Sequence, residues 1–162
     1  MKTGNHQKEE QTLVLLKPDA VQRALLGEII HRFERKGLKI IGLKMIEMND
    51  KLMNEHYGKY ADKPFFKGLT GHMSKSPIVA LVISGVRALS AVRILVGATK
   101  SYEAAPGTIR GDFGLSVQSN LIHASDPEEN PEEEITRFFD KNELFNYQRI
   151  DFDLLYGEEE LE

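Results

Sequence analysis

Short runs of strand-forming residues alternate with amphipathic helical segments along this chain, and this alternation restricts the folds available to it. Strands are predicted over residues 12–16, 38–48, 78–84 and 117–122. Helices are predicted around residues 26–33, over 88–96 and after 130, and residues 51–75 are typical of short helices interrupted near 62–64. This order predicts an α+β fold, and a ferredoxin-like antiparallel sheet with helices packed on it is one way to assemble it.

Two of the helices have recognisable boundaries. Apolar residues spaced i, i+3, i+4 and i+7 from Leu26 to Phe33 form one helix face, and Gly37 suits the left-handed residue that follows such a helix. Asn130 suits the N-cap of the last predicted helix, and Pro131 suits its first position. Between the helix predicted over 88–96 and the last strand, residues 97–114 predict a long loop rich in glycine and proline, and loops of that length are usually functional or disordered.

A chain of 162 residues has about the length of one domain. We predict a single domain over residues 12–157, a flexible tail over 1–11 and an acidic tail over 158–162. The net charge of −4 argues against nucleic acid as the main partner, whereas a small anionic ligand needs only a few local cations. Cysteine is absent, and no apolar run is long enough to cross a membrane, so we expect a soluble, cytoplasmic protein.

His123 is the first candidate for chemistry. It follows Leu121 and Ile122 at the predicted end of a strand, which would place it at a sheet edge. A histidine can act as a nucleophile near neutral pH if one ring nitrogen is free and the other is held. Glu134 could hold that other nitrogen directly or through Ser125. The alternative is a surface histidine, with Ser125 serving only to cap the next helix.

The glycine-rich part of the long loop is the second candidate, and its sequence is PGTIRGDFG over residues 106–114. Glycine allows a ligand to approach the backbone closely, and Arg110 is a forked donor suited to phosphate. The segment lacks the Gly-Lys-Ser/Thr ending of a P-loop. The alternative is a tight surface loop with a solvated arginine.

Two weaker signals accompany these segments. Lys17, followed by Pro18 and Asp19, could contact a phosphate or a sugar, although Asp19 as a helix N-cap is the simpler interpretation. Phe65 belongs to an aromatic cluster that could be core or could stack on a base. The five histidines show no HxH or HxxxH spacing, so no dedicated protein metal site is predicted.

Taken together, these segments resemble the nucleoside diphosphate kinase family over about residues 11–156. The matching motifs are Lys17-Pro18-Asp19, Arg23, Gly27-Glu28-Ile29-Ile30, His56-Tyr57, Pro64-Phe65-Phe66, Gly97-Ala98-Thr99, PGTIRGDFG and Asn120-Leu121-Ile122-His123-Ala124-Ser125-Asp126. The resemblance implies a ferredoxin-like βαββαβ core with an added helical hairpin and an inserted loop. It also implies transfer of the terminal phosphate of a nucleoside triphosphate to a nucleoside diphosphate, by a ping-pong mechanism through phosphohistidine.

The resemblance assigns a role to each matching residue. His123 would carry the phosphate, Glu134 and Ser125 would orient it, and Tyr57 would lie beside the transferring phosphate. Arg93, Thr99 and Arg110 would contact the phosphates. Lys17 would contact the ribose and the terminal phosphate, and Asn120 would contact the ribose. The base would be contacted by Phe65, Val117 and Leu69. Mg²⁺ would arrive on the nucleotide phosphates. The implied partners are nucleoside di- and triphosphates, including ATP, ADP, GTP and GDP, and further copies of the chain in a hexamer, with a tetramer as the alternative.

The chain departs from the common family pattern at Ala20, Lys59, Tyr60, Ser101, Ala124 and Pro127. None of these departures removes a catalytic group, and they bear more on assembly than on activity. Two other functional classes remain open from the sequence. One is a silent nucleotide-binding module, which would be expected to lack the histidine or the phosphate-binding cations. The other is a phosphodonor that passes phosphate from His123 to a protein.

Overall fold

A computed structural model describes residues 6–126 and 128–162. Residues 1–5 of the predicted tail and the departure at Pro127 therefore lie outside the described residues. The strands are β1 (Glu9–Leu16), β2 (Lys39–Ile46), β3 (Ile78–Val86) and β4 (Ile122–Ala124). The α-helices are α1 (Pro18–Gln22), α2 (Leu26–Arg35), α3 (Asp50–Tyr57), α4 (Phe66–Met73), α5 (Ala88–Val96), α6 (Ile109–Phe113), α7 (Pro131–Phe138), α8 (Phe152–Leu155) and α9 (Glu158–Leu161). Short 3₁₀ helices occupy Gly58–Tyr60, Ser101–Glu103 and Lys141–Glu143.

The four strands form one sheet in the order β2-β3-β1-β4, and every neighbouring pair is antiparallel. The central strand β1 pairs along its whole length with residues 79–86 of β3, and Leu13 lies opposite Val82. The short edge strand β4 pairs with the other side of β1, where Leu15 lies opposite His123. The predicted α+β class and the ferredoxin-like antiparallel sheet are confirmed.

Helices cover both faces of the sheet because successive residues of a strand point to opposite faces. On one face, Val14 and Leu16 of β1 pack with Ile29 and Phe33 of α2, and α5 completes that layer. On the other face, side chains from β1 and β3 pack with those of α3, α4 and α7; they are Leu13, Leu15, Ala80, Val82, Met53, Met73, Ile135 and Phe138. The central strands are therefore apolar on both sides, which explains their nearly continuous hydrophobic runs.

The sheet and its helices extend into both predicted tails. Glu9, Glu10 and Gln11 lie in β1, where they pair with the end of β3. The polarity of these three residues predicts a tail, but pairing with β3 provides partners for their backbone groups. At the other end, Glu158–Leu161 form α9. Among the described residues, no helix combines the length and the apolarity that a membrane crossing requires.

The last strand is shorter than predicted. The prediction of a strand over 117–122 was wrong for most of that range, since β4 contains only Ile122–Ala124. Leu121 has φ of 71°, a left-handed conformation that interrupts an extended chain immediately before β4. His123 consequently lies within the edge strand and not just beyond its end.

The caps and the long loop also differ in part from expectation. Asn130 caps α7 as predicted, its side chain accepting a hydrogen bond from the amide of Glu132. The prediction of Asp19 as an N-cap was wrong: Lys17 occupies that position, and Asp19 lies in the first turn of α1. The segment 97–114 is not wholly irregular, because it contains one 3₁₀ helix and α6.

Candidate functional site

A cavity of about 390 Å³ opens beside β4, and His123 is on its wall. Elements from both faces of the sheet and from the long loop contribute its lining. The predicted site residues on this wall are Lys17, Tyr57, Phe65, Leu69, Arg93, Thr99, Arg110, Asn120 and His123. The fold therefore brings together residues that are more than 100 positions apart in the chain.

The His123 ring has one buried nitrogen. Its Nε2 atom lies 3.4 Å from Oε1 of Glu134, which is in the first turn of α7 and fully enclosed. The Glu134 pKa is subject to opposing influences: burial raises it, but the adjacent imidazole of His123 and the charges of nearby groups lower it overall. Glu134 is therefore ionised at neutral pH, and its charge faces the histidine ring.

Ser125 is buried behind this pair. Its hydroxyl accepts a hydrogen bond from the backbone amide of Leu13 at 3.1 Å, which ties the end of β4 to β1. Ser125 also contributes to lowering the pKa of Glu134. Of the predicted orienting residues, Glu134 therefore lies next to the His123 ring, whereas the main partner of Ser125 is the sheet backbone.

Arg110 is a buried cation whose position is fixed by backbone carbonyls. Its guanidinium donates to the carbonyl oxygens of Gly97, Asn120 and Ile122 at 3.0, 3.2 and 2.6 Å. Burial, followed by the nearby charge of Arg93, lowers the pKa of Arg110 to about 10. A cation held in this way is already oriented and only partly hydrated, which favours binding of an anion in the cavity.

Lys17 is a second buried cation, and a hydrogen bond orients it before any ligand binds. Its Nζ atom donates to Oδ1 of Asn120 at 2.6 Å, and the Asn120 amide donates to the carbonyl of Thr99 at 2.9 Å. Burial lowers the pKa of Lys17 to about 8; the charge of Arg110 adds to this effect and that of Asp19 opposes it. The amide of Asn120, predicted to bind ribose, thus links the N-terminus of α1 to the long loop.

An apolar cleft continues from the charged part of the cavity. A neighbouring cavity of about 430 Å³ shares Lys17 and Asn120 with the first and adds Val117. Phe65 and Leu69 border both cavities, and the Phe65 side chain is about half exposed. The arrangement offers a charged region next to His123 and an apolar region that could receive a flat ring.

Among residues 6–126 and 128–162, one group of side chains could act as metal ligands: His56, His123 and Glu134. One donor atom from each lies within 4.8 Å of the others. The sequence spacing predicted no metal site, and spacing could not reveal this trio because its members come from α3, β4 and α7. His56 and Glu134 are fully enclosed behind the ring of His123 and are not on the cavity wall.

Comparison with known proteins gives the family. A family model of nucleoside diphosphate kinase matches residues 10–144. A nucleoside diphosphate kinase of Pyrococcus horikoshii is 54% identical over 143 residues, which are 86% of this chain and 91% of that protein. The chain belongs to the nucleoside diphosphate kinase family. Its reaction is the transfer of the terminal phosphate of a nucleoside triphosphate to a nucleoside diphosphate.

Solved structures of the family have the same fold. A halophilic nucleoside diphosphate kinase from Halobacterium salinarum, in complex with CDP, superposes with a TM-score of 0.90 at 46% identity, covering 92% of this chain and 99% of that one. A nucleoside-diphosphate kinase from Borrelia burgdorferi, in a transition state mimic with bound vanadate and ADP, superposes with a TM-score of 0.84 at 36% identity. The match covers 89% of this chain and 95% of that one.

Two features of this kinase-family site were not found from the sequence. His56 belongs to the family motif only as the neighbour of Tyr57, and nothing in its spacing connects it to Glu134. The sequence predicts Asp19 as a helix cap, but its carboxylate accepts a hydrogen bond from the amide of Leu121 at 2.9 Å and lies 2.9 Å from Nε2 of His72. Asp19 thereby stabilises the left-handed backbone conformation of Leu121, the residue that precedes β4.

Proposed function

We propose that His123 is the phosphate carrier of this nucleoside diphosphate kinase and that one nucleotide pocket serves donor and acceptor in turn. The proposal is supported chiefly by the position of the His123 ring, which borders the cavity while its Nε2 atom faces Glu134. A histidine whose one nitrogen is held by a carboxylate keeps its proton there, and the other nitrogen then has a free lone pair.

The free nitrogen is Nδ1. In the first half-reaction the Nδ1 lone pair attacks the terminal phosphorus, the bond from phosphorus to the bridging oxygen breaks, and the nucleoside diphosphate leaves with those electrons. The positive charge that develops on the ring is stabilised by Glu134. In the second half-reaction a different nucleoside diphosphate attacks the phosphoryl group, and the electrons of the breaking P–N bond return to Nδ1.

Three cations neutralise the phosphates in this proposal: Lys17, Arg93 and Arg110, with Thr99 as an additional donor. Phosphoryl transfer depends mainly on alignment and charge neutralisation, so prearranged cations suit it. We also propose Mg²⁺, bound through the nucleotide phosphates, which supplies further neutralisation when present. The chain offers oxygen donors of the kind that suit hydrated Mg²⁺, because Asp126 and Glu129 are on the same cavity wall.

The apolar cleft is proposed as the base site. Phe65 and Val117 would contact the two faces of the base, with Leu69 beside them. Stacking is tolerant of base identity because every base has a π-face, so the chain should accept purine and pyrimidine nucleotides. Lys17 and Asn120, which border both cavities, would contact the ribose between base and phosphates.

Initial-rate kinetics test this function. With ATP and GDP both varied in the presence of Mg²⁺, double-reciprocal plots should give parallel lines, and His123→Ala should lose the activity while still binding ADP. Intersecting lines would indicate direct transfer between two bound nucleotides. Activity retained by His123→Ala would place the phosphate carrier elsewhere.

We propose assembly as a hexamer, with a tetramer as the alternative, and a cytoplasmic location. Exposed apolar side chains on the edge strand β2 (Leu43 and Met45) and in the long loop (Tyr102) support self-association. Light scattering at micromolar concentration should report six subunits, and a monomer would contradict the proposal. The absence of cysteine is consistent with a reducing compartment.

A further inference from the structure

Behind the His123 ring, the structure encloses an unusual number of polar atoms close together. Among the described residues, the buried side-chain atoms without a hydrogen bond include both ring nitrogens of His56, both carboxylate oxygens of Glu134, Nε2 of His123 and the hydroxyl of Tyr57. A buried polar atom without a partner is costly, so such a concentration requires an explanation. Three of these atoms lie near one another: Oε1 of Glu134 is 3.8 Å from Nδ1 of His56 and 3.4 Å from Nε2 of His123.

His56 is the member of this group that the reaction described above does not use. It lies in the last turn of α3, and its Nδ1 atom is 3.8 Å from Oε1 of Glu134. Its ring meets the rings of His123, Tyr57 and Phe138 edge to face, with centroids 4.8, 4.5 and 5.0 Å away. These contacts fix the plane of the imidazole and direct Nδ1 at the carboxylate.

The charges around His56 determine its protonation state. Burial lowers its pKa, and the nearby His123 imidazole and the cations Arg137 and Lys59 lower it further, while Glu134 acts in the opposite direction. A neutral imidazole carries one N–H, and a carboxylate can only accept. The proton therefore belongs on Nδ1, where an approach of about 0.6–1 Å would complete a hydrogen bond to Oε1 of Glu134.

We propose that His56 is a positioning residue: it donates a hydrogen bond to Oε1 of Glu134 and so holds that carboxylate against Nε2 of His123. The same oxygen is 3.4 Å from the catalytic ring, so two imidazoles share one acceptor. Without the second donor, the carboxylate can rotate away from His123. The ring would then lose both its orientation and the charge that stabilises it while it carries phosphate. This inference rests on the proposed role of His123.

A matched pair of variants tests the proposal. His56→Asn keeps an N–H near the position of Nδ1, whereas His56→Leu has nearly the same shape without a donor. The measurement is the single-turnover rate at which ATP with Mg²⁺ phosphorylates the intact protein. The Leu variant should be slower than wild type by about tenfold, and the Asn variant should remain within about threefold of it. Thermal unfolding and ADP affinity establish that each variant is folded, and His56→Met replaces Leu if the latter does not fold.

A double-variant cycle separates positioning from packing. If His56 acts through Glu134, adding His56→Leu to Glu134→Gln should cause no further loss of rate. Losses that multiply in the double variant, or a Leu variant as fast as wild type, would overturn the proposal. A wild-type protein that takes up no phosphate would instead overturn the proposed function, so the two failures are distinguishable.

Discussion

The buried lysine at the start of α1 leads to a specific prediction about pH. Lys17 is almost fully enclosed, and burial brings its pKa down to about 8, with help from the charge of Arg110. A phosphate in the cavity interacts favourably with the charged form of Lys17 and raises its pKa. Nucleotide binding should therefore take up a proton when the pH is near or above 8.

The size of the effect follows from the protonated fraction. With a pKa of about 8, Lys17 is about nine-tenths charged at pH 7 and about one-tenth charged at pH 9. If only the charged form binds phosphate well, the apparent affinity for ADP should fall about tenfold between these two pH values. Isothermal titration calorimetry in buffers of different ionisation enthalpy measures both the affinity and the proton uptake.

Two variants isolate Lys17 from other titrating groups. Lys17→Met should bind ADP more weakly at pH 7 and show a much smaller change between pH 7 and 9, because it has no charge to lose. Lys17→Arg stays charged throughout and should also lose the pH dependence. Equal affinity of the wild type at both pH values, or an unchanged slope in Lys17→Met, would refute this reasoning.

Two further predictions concern Gly97, in the long loop, and Asp19, which accepts a hydrogen bond from the residue before β4. Gly97 has φ of 84°, and a Cβ there would lie 2.8 Å from Cβ of Thr108, whereas Gly107, with φ of 86°, faces open space. Gly97→Ala should therefore lower the free energy of unfolding by about 1–3 kcal/mol more than Gly107→Ala does, as measured by urea denaturation. Asp19→Ala removes the acceptor for the amide of Leu121 and should cost about 1–3 kcal/mol. The pKa of Asp19 is lowered from 3.8 in the folded state, so the difference in free energy of unfolding between wild type and Asp19→Ala should be present above about pH 4. It should disappear as acid protonates the carboxylate. Equal stability of wild type and Asp19→Ala at about pH 7 would contradict this prediction.

The sequence predicted the fold where hydrophobic periodicity and caps are strong. Helix α5 and the N-terminus of α7 begin where they were predicted, since a buried apolar face and an Asn-Pro cap are local signals. The start of β1 was missed because Glu9 and Glu10 are polar, and only their pairing with β3 makes them strand residues. The length of β4 was missed because the left-handed Leu121 is stabilised by Asp19, which is about 100 residues away.

The site shows the same division between local and distant signals. Residues with distinctive chemistry inside short motifs, such as His123 and Arg110, could be selected from the sequence, and the fold places them on one cavity wall. The backbone carbonyls that fix Arg110 could not be foreseen, because they belong to the ends of other elements. His56 could not be connected to Glu134 for the same reason: their proximity depends on how α3 and α7 pack on the sheet.

Direct observation of the phosphorylated intermediate tests the central claim. The intact protein would be mixed with ATP and Mg²⁺, separated from nucleotide and analysed by tandem mass spectrometry under non-acidic conditions, before and after addition of GDP. We expect one phosphoryl group, located on His123, absent from His123→Ala and transferred to GDP to form GTP. A phosphoryl group on another residue, or steady nucleotide exchange by a protein that is never phosphorylated, would contradict the account.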